Sequence, residues 1–139
     1  MIRVVVDPGV FVSAIITRKG TAPDLLVRAI LHRRLEAVAS PLLINEFERV
    51  IHRPKFDLYA DPRSRRTLFA EIVKRLASAP DPHEIRQLLR DPKDDYLVAI
   101  ARQESVDAIV SGDGHLREAR LTDPPVWSPR ECVERLASS

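Results

Sequence analysis

The sequence predicts an α/β fold, a parallel sheet with helices covering both of its faces. Three observations carry that prediction. Residues 2–6 are β-branched except for Arg3 and stop at Asp7-Pro8-Gly9, the pattern of a short buried strand ended by a turn. Similar short apolar segments recur at 35–39, 108–110 and 126–127, with helical patterns between them. Tyr96-Leu97-Val98-Ala99-Ile100-Ala101 is apolar almost throughout, as expected of a helix buried on most sides. Strands alternating with helices favour a parallel sheet sandwiched by helices.

Taken in order, residues 10–16 should open a helix or irregular turn, and 17–21 a polar loop. Pro23 suits the first turn of the next helix, whose Leu25, Leu26, Ala29 and Ile30 share one face. Ser40-Pro41 is an N-cap signal for a helix over 42–51, which Pro54 ends. Asp61-Pro62 starts another, with Leu68, Ile72, Val73 and Leu76 at helical spacing. The breaker-rich stretch 77–82 is a poorly marked third strand. A buried helix is expected over 94–104, a turn at Gly112-Asp113-Gly114 and a closing helix over 129–136.

With 139 residues, 45% of them apolar, the chain fits one domain with a substantial core, and residues 1–139 are read as such. No apolar run reaches the roughly 18 to 20 residues of a membrane span, and the start leads into a strand, so a cytoplasmic location with no membrane partner is expected. The single cysteine, Cys132, excludes an internal disulfide and reads as packing on the last helix. A net charge of +2 does not by itself imply a polyanionic partner. Of the 22 basic residues 18 are Arg, which suits phosphate, though base composition of the gene explains the bias equally well. The clusters are Arg33-Arg34, then Arg49, His52, Arg53 and Lys55, then Arg63, Arg65 and Arg66; each also fits a solvated face.

Ligands of open parallel sheets collect at the carboxyl ends of the strands, so acids immediately after strands come first. Asp7 follows the first strand, and Asp113 follows 108–110 after only Ser111-Gly112. Asp94-Asp95 precede the apolar helix, where the helix dipole alone would favour them. Glu46 lies four residues from both Leu42 and Val50, so it projects from the apolar face and needs a partner or a metal. Converging carboxylates without basic partners stay ionised around a hard divalent cation, which favours phosphodiester hydrolysis.

These residues resemble the PIN-domain family, in particular its bacterial branch of toxin components of toxin–antitoxin systems, the VapC-like ribonucleases. The resemblance rests on V-V-V-D-P-G-V-F-V-S-A at 4–14, L-L-I-N-E-F-E-R-V at 42–50, R-P-K-F at 53–56, D-P-K-D-D-Y-L-V-A-I-A at 91–101 and I-V-S-G-D at 109–113. It implies a three-layer α/β/α sandwich with a central five-stranded parallel sheet, and a pocket that binds Mg²⁺ or Mn²⁺ and cuts RNA. Carried over, the catalytic and metal-binding acids are Asp7, Glu46, Asp95 and Asp113, with Asp94, Ser13 and Ser111 supporting them. It also implies an antitoxin protein that covers the pocket, and pairing as homodimers. One departure stands out: the family usually follows its first Asp with Thr and then Asn or Ser, where this chain has Pro8 and Gly9. Neither side chain donates a hydrogen bond, so Asp7 must be braced by Ser13 or by backbone, or the site is weakened. The alternatives are a non-cutting PIN domain that binds RNA or protein, and a flap-type DNA nuclease.

Overall fold

The computed structural model describes residues 1–138. Five strands, β1 Arg3–Val6, β2 Glu36–Ala39, β3 Ala77–Ser78, β4 Ala108–Val110 and β5 Val126–Trp127, form one sheet in the order β3-β2-β1-β4-β5, with every neighbouring pair parallel. The seven α-helices among the described residues are α1 Pro8–Ile16, α2 Ala22–Leu31, α3 Pro41–Ile51, α4 Pro62–Arg75, α5 Asp95–Gln103, α6 Gly114–Glu118 and α7 Pro129–Ser138. The result is the expected α/β sandwich around an all-parallel five-stranded sheet.

The central strands are buried on both faces: Val4, Val5 and Val6 pair with Ala108, Ile109 and Val110, and all six are at most 1% exposed. Strands read this way because a sheet covered by helices offers no solvated face on which to alternate. The core continues through Leu97, Val98 and Ile100 of α5 and through Phe11 and Phe47, with the half-buried Phe69 against them; the rings meet tilted at 5.0 Å and edge-to-face at 4.8 Å between centroids. Cys132 is fully buried on α7, as expected.

Several local readings change. Asp7-Pro8-Gly9 and Gly112-Asp113-Gly114 are helix starts rather than free turns. Asp7 caps α1 by accepting from Gly9 N–H, and Asp113 caps α6 by accepting from His115 N–H. Pro8 occupies the first helical position, where its missing N–H costs nothing. Leu25 and Leu68 point outward, because the buried faces of their helices run through Leu26, Val27, Ala29 and Ile30, and through Arg65 and Ile72. Arg65 is thus a core residue, not part of a solvated arginine face. Ser40 stands at the N-cap of α3 but makes no capping bond; Asp81, from the segment after β3, accepts from Leu42 N–H at 2.9 Å instead.

From β1 the chain builds outward to β2 and β3, then returns to the other side of β1 for β4 and β5. The strand order therefore reverses between β1 and β4. At that reversal the connections leaving the two strands diverge, and a crevice opens beyond their carboxyl ends.

Candidate active site

A cleft of about 730 Å³ occupies that crevice, with Asp7, Glu46, Asp94 and Asp113 in its lining. Asp7 ends β1 and Asp113 follows β4, so strand pairing itself brings together two acids separated by more than 100 residues. Asp94 arrives on a 3-10 turn, Pro92–Asp94, immediately before α5, and Glu46 from α3.

Ser111 ties the two strand ends. Its fully buried hydroxyl donates to Asp7 Oδ2 at 2.8 Å and accepts from Asp113 N–H at 3.0 Å. Asp7 Oδ1 accepts from Gly9 N–H at 3.0 Å. The donors absent from Pro8 and Gly9 side chains are thus replaced by a serine hydroxyl and a backbone amide. Ser13 lines the cleft; its backbone carbonyl accepts from Thr17.

The adjacent acids Asp94 and Asp95 meet different surroundings, since successive residues of a helix start point about 100° apart. Asp95 is 3% exposed, and its Oδ1 accepts from Leu88 N–H at 3.0 Å and Leu89 N–H at 2.9 Å. That carboxylate holds the irregular segment between β3 and α5, and Asp95 is absent from the cleft lining. The acid that lines the cleft is Asp94, whereas Asp95, the acid carried over from the resemblance, is engaged by Leu88 and Leu89. Both residues fit an acid opening a buried helix; what separates them is that Leu88 and Leu89 need a partner for their N–H groups, and that need is tertiary.

The electrostatics separate the acids again. Burial, followed by the charges of Asp7 and Asp113, pushes Asp94 up to about 6. Asp7 is also raised, first by burial and further by Asp113, against the opposing hydrogen bonds from Gly9 and Ser111. Tyr96 lines the same cleft, and burial together with Asp7, Glu46 and Asp94 raises its phenol above the ordinary range, so it stays an O–H. Glu46 differs from these. Arg49 Nε donates to its Oε2 at 3.1 Å, a second guanidinium N–H reaches its Oε1, and the Glu46 carboxyl is lowered, chiefly by that contact. Its partner is therefore a cation on its own helix. The stripe Leu42, Glu46, Arg49 and Val50 does share one face of α3, as the spacing required, but that face lines the cleft rather than the core.

Arg53 and Lys93 also line the cleft. Arg49 and Arg53 come from one of the basic clusters visible in the sequence, whereas Lys93 and Tyr96 carry no signal beyond flanking the pair Asp94-Asp95. Among the described residues, no three His, Cys, Asp or Glu side chains already stand in position to grip one metal ion. No helix is long and apolar enough to cross a membrane.

Residues 3–115 match the family model of the PIN domain, and the chain belongs to that family. PIN domains are generally nucleases and typically use divalent metals. No curated protein matches the chain. Among solved structures, the crystal structure of PAE2754 from Pyrobaculum aerophilum superimposes with a TM-score of 0.68 over 100% of this chain and 91% of that one, at 16% identity. At that identity the likeness shows the fold alone.

Proposed function

We propose that this chain is a divalent-metal-dependent ribonuclease whose cleft carboxylates are Asp7, Asp94 and Asp113, with Glu46 completing the set. The observation that carries this reading is the convergence, at the reversal of strand order, of three carboxylates from three segments whose charges reach one another. A site of that kind destabilises the metal-free protein and is relieved by a cation.

The residues fit Mg²⁺ or Mn²⁺. All the donors are carboxylate oxygens, the ligand type of a hard divalent ion that keeps several waters and leans on one or two carboxylates plus substrate phosphate. Once bound, such an ion supplies Lewis-acid stabilisation of the phosphoryl charge and a more acidic water. Asp7 is oriented for its part by Ser111 and Gly9 N–H, and Asp113 by His115 N–H and the Ser111 hydroxyl. Glu46 must exchange Arg49 for the site before it can act as an acceptor there. Tyr96 keeps its proton and is available as a donor to an anionic oxygen.

The preference for RNA, the role as toxin of a toxin–antitoxin pair, an antitoxin that covers the cleft and homodimer formation rest on resemblance to the bacterial branch of the family, and a cytoplasmic location on the sequence pattern alone. The reading of a non-cutting binding module loses its main support, because Asp7 has both of its bracing bonds despite Pro8 and Gly9. The test is cleavage of single-stranded RNA with Mg²⁺ or Mn²⁺. Asp94→Asn and Asp113→Asn should each lower the rate by about two orders of magnitude or more, whereas folded Asp95→Asn should still cut. Equal rates for parent and Asp94→Asn would refute the assignment, and cleavage of a flapped DNA with RNA left intact would refute the substrate.

A further inference from the structure

An acidic floor repels the polyanion it has to cut, so a nuclease cleft needs cations at its rim. Here they come from two elements. Arg53 lies just beyond α3, half-buried, and its guanidinium makes no hydrogen bond or ion pair among the described residues. Its backbone, in contrast, is pinned. Arg53 N–H donates to the Val50 carbonyl at 3.1 Å, and the buried Arg65 donates to the Arg53 carbonyl at 3.0 Å and the Ile51 carbonyl at 3.1 Å. A guanidinium with no hydrogen bond or ion pair, attached at a fixed point of the rim, is free to take an anion in the cleft.

Lys93 sits on the 3-10 turn one residue before Asp94, exposed, with its Nζ only loosely tethered to Asp91 at 3.6 Å. It lines the cleft together with Asp7, Glu46 and Asp94, and its charge acts on all three. Arg49, the third cation in the lining, is already engaged by Glu46. A cleft of about 730 Å³ accommodates on the order of one or two nucleotides.

We propose that Arg53 and Lys93 are the phosphate contacts of this cleft and hold the sugar–phosphate backbone of an RNA strand across the acidic floor. The proposal rests on the ribonuclease reading but is tested apart from it. Binding of a fluorescein-labelled single-stranded RNA is followed by anisotropy in EDTA, where nothing is cut, over a series of salt concentrations. Arg53→Gln and Lys93→Gln should each weaken binding about five- to tenfold and flatten the slope of log K against log salt by about one. Arg66→Gln, an exposed position on α4 outside the cleft, should bind as the parent does, and the melting temperatures of all three variants should match the parent's.

The proposal is overturned if the parent does not bind RNA, if Arg53→Gln and Lys93→Gln bind with parental affinity and salt slope, or if Arg66→Gln weakens binding as much as they do. Binding without cleavage on adding Mn²⁺ would refute the nuclease reading and leave the phosphate contacts standing. Cleavage by a parent whose binding ignores both substitutions would do the reverse.

Discussion

The junction of α3 and α4 and the cleft at the sheet edge both take charge out of water, and they compensate it in opposite ways. At the junction the Arg65 guanidinium, 1% exposed, meets the Asp57 carboxylate and the carbonyls of Ile51 and Arg53. At the cleft, Asp7, Asp94 and Asp113 meet one another, and each of the first two is raised by burial and by like charge. A charge kept for stability is paired within the protein, since an unpaired one costs several kcal/mol. Like charges held together make sense where the missing partner comes from outside.

If that contrast is right, the largest effect on folding should come from the junction. Arg65→Met keeps the bulk of the side chain but leaves the Ile51 and Arg53 carbonyls without their donor. Loss of those partners should cost roughly 2 to 4 kcal/mol and lower the melting temperature by about 10 °C. A fall of under about 2 °C would show that Arg65 does not hold the junction. Asp57→Asn should do less, because that carboxylate side chain is 53% exposed and water can stand in for it.

The contrast also marks what the sequence can reveal. The strands after which acids matter were legible, because a run such as Val4-Val5-Val6 followed by an acid has no other good reading, and the reversal of strand order then follows from α/β architecture. The edge strand β3, two residues long, is a weak signal because so short a ladder among breakers leaves little pattern, whereas the equally short β5 shows as the apolar pair Val126-Trp127. Nothing in the sequence sets Arg65 apart from Arg63 and Arg66, since its burial depends on Asp57 and two carbonyls that no periodicity encodes. Asp95 was preferred to Asp94 for a similar reason: the need of Leu88 and Leu89 for an acceptor is visible only in three dimensions. Spacing groups Glu46 with Leu42 and Val50, but the buried face of α3 runs through Leu43, Phe47 and Ile51, and the pairing of Glu46 with Arg49, three residues on, is a side-chain contact that the basic cluster hides.

A middle-sized effect should fall on the link between the two strand ends. Ser111→Ala removes the donor to Asp7 Oδ2 and the acceptor for Asp113 N–H in a fully buried place. The fold should lose about 1 kcal/mol, and affinity for Mn²⁺ should weaken about tenfold because both acids lose their orientation. Titration calorimetry with parental Mn²⁺ affinity in Ser111→Ala would mean that the hydroxyl braces nothing the metal uses.

The smallest effect has the most informative sign. Asp94 titrates near 6 in the folded chain against 3.8 unfolded, so between those values the folded state holds the proton the unfolded state releases. Its contribution to stability is therefore present at low pH and is lost as pH rises from about 4 to about 6; above that it is level. Asp94→Asn removes a charge that folding disfavours, so at pH 7.5 without metal the variant should melt higher than the parent, by about 1 to 3 °C once solvent screening is allowed for. The gap should close below about pH 4, where the carboxyl is neutral in the unfolded chain as well as the folded one. Adding Mn²⁺ at pH 7.5 should reverse the order, stabilising the parent while leaving Asp94→Asn little changed. A metal-free variant that melts lower than the parent at pH 7.5 would mean that Asp94 is paired inside the protein as Arg65 is, and the contrast between the two regions would fail.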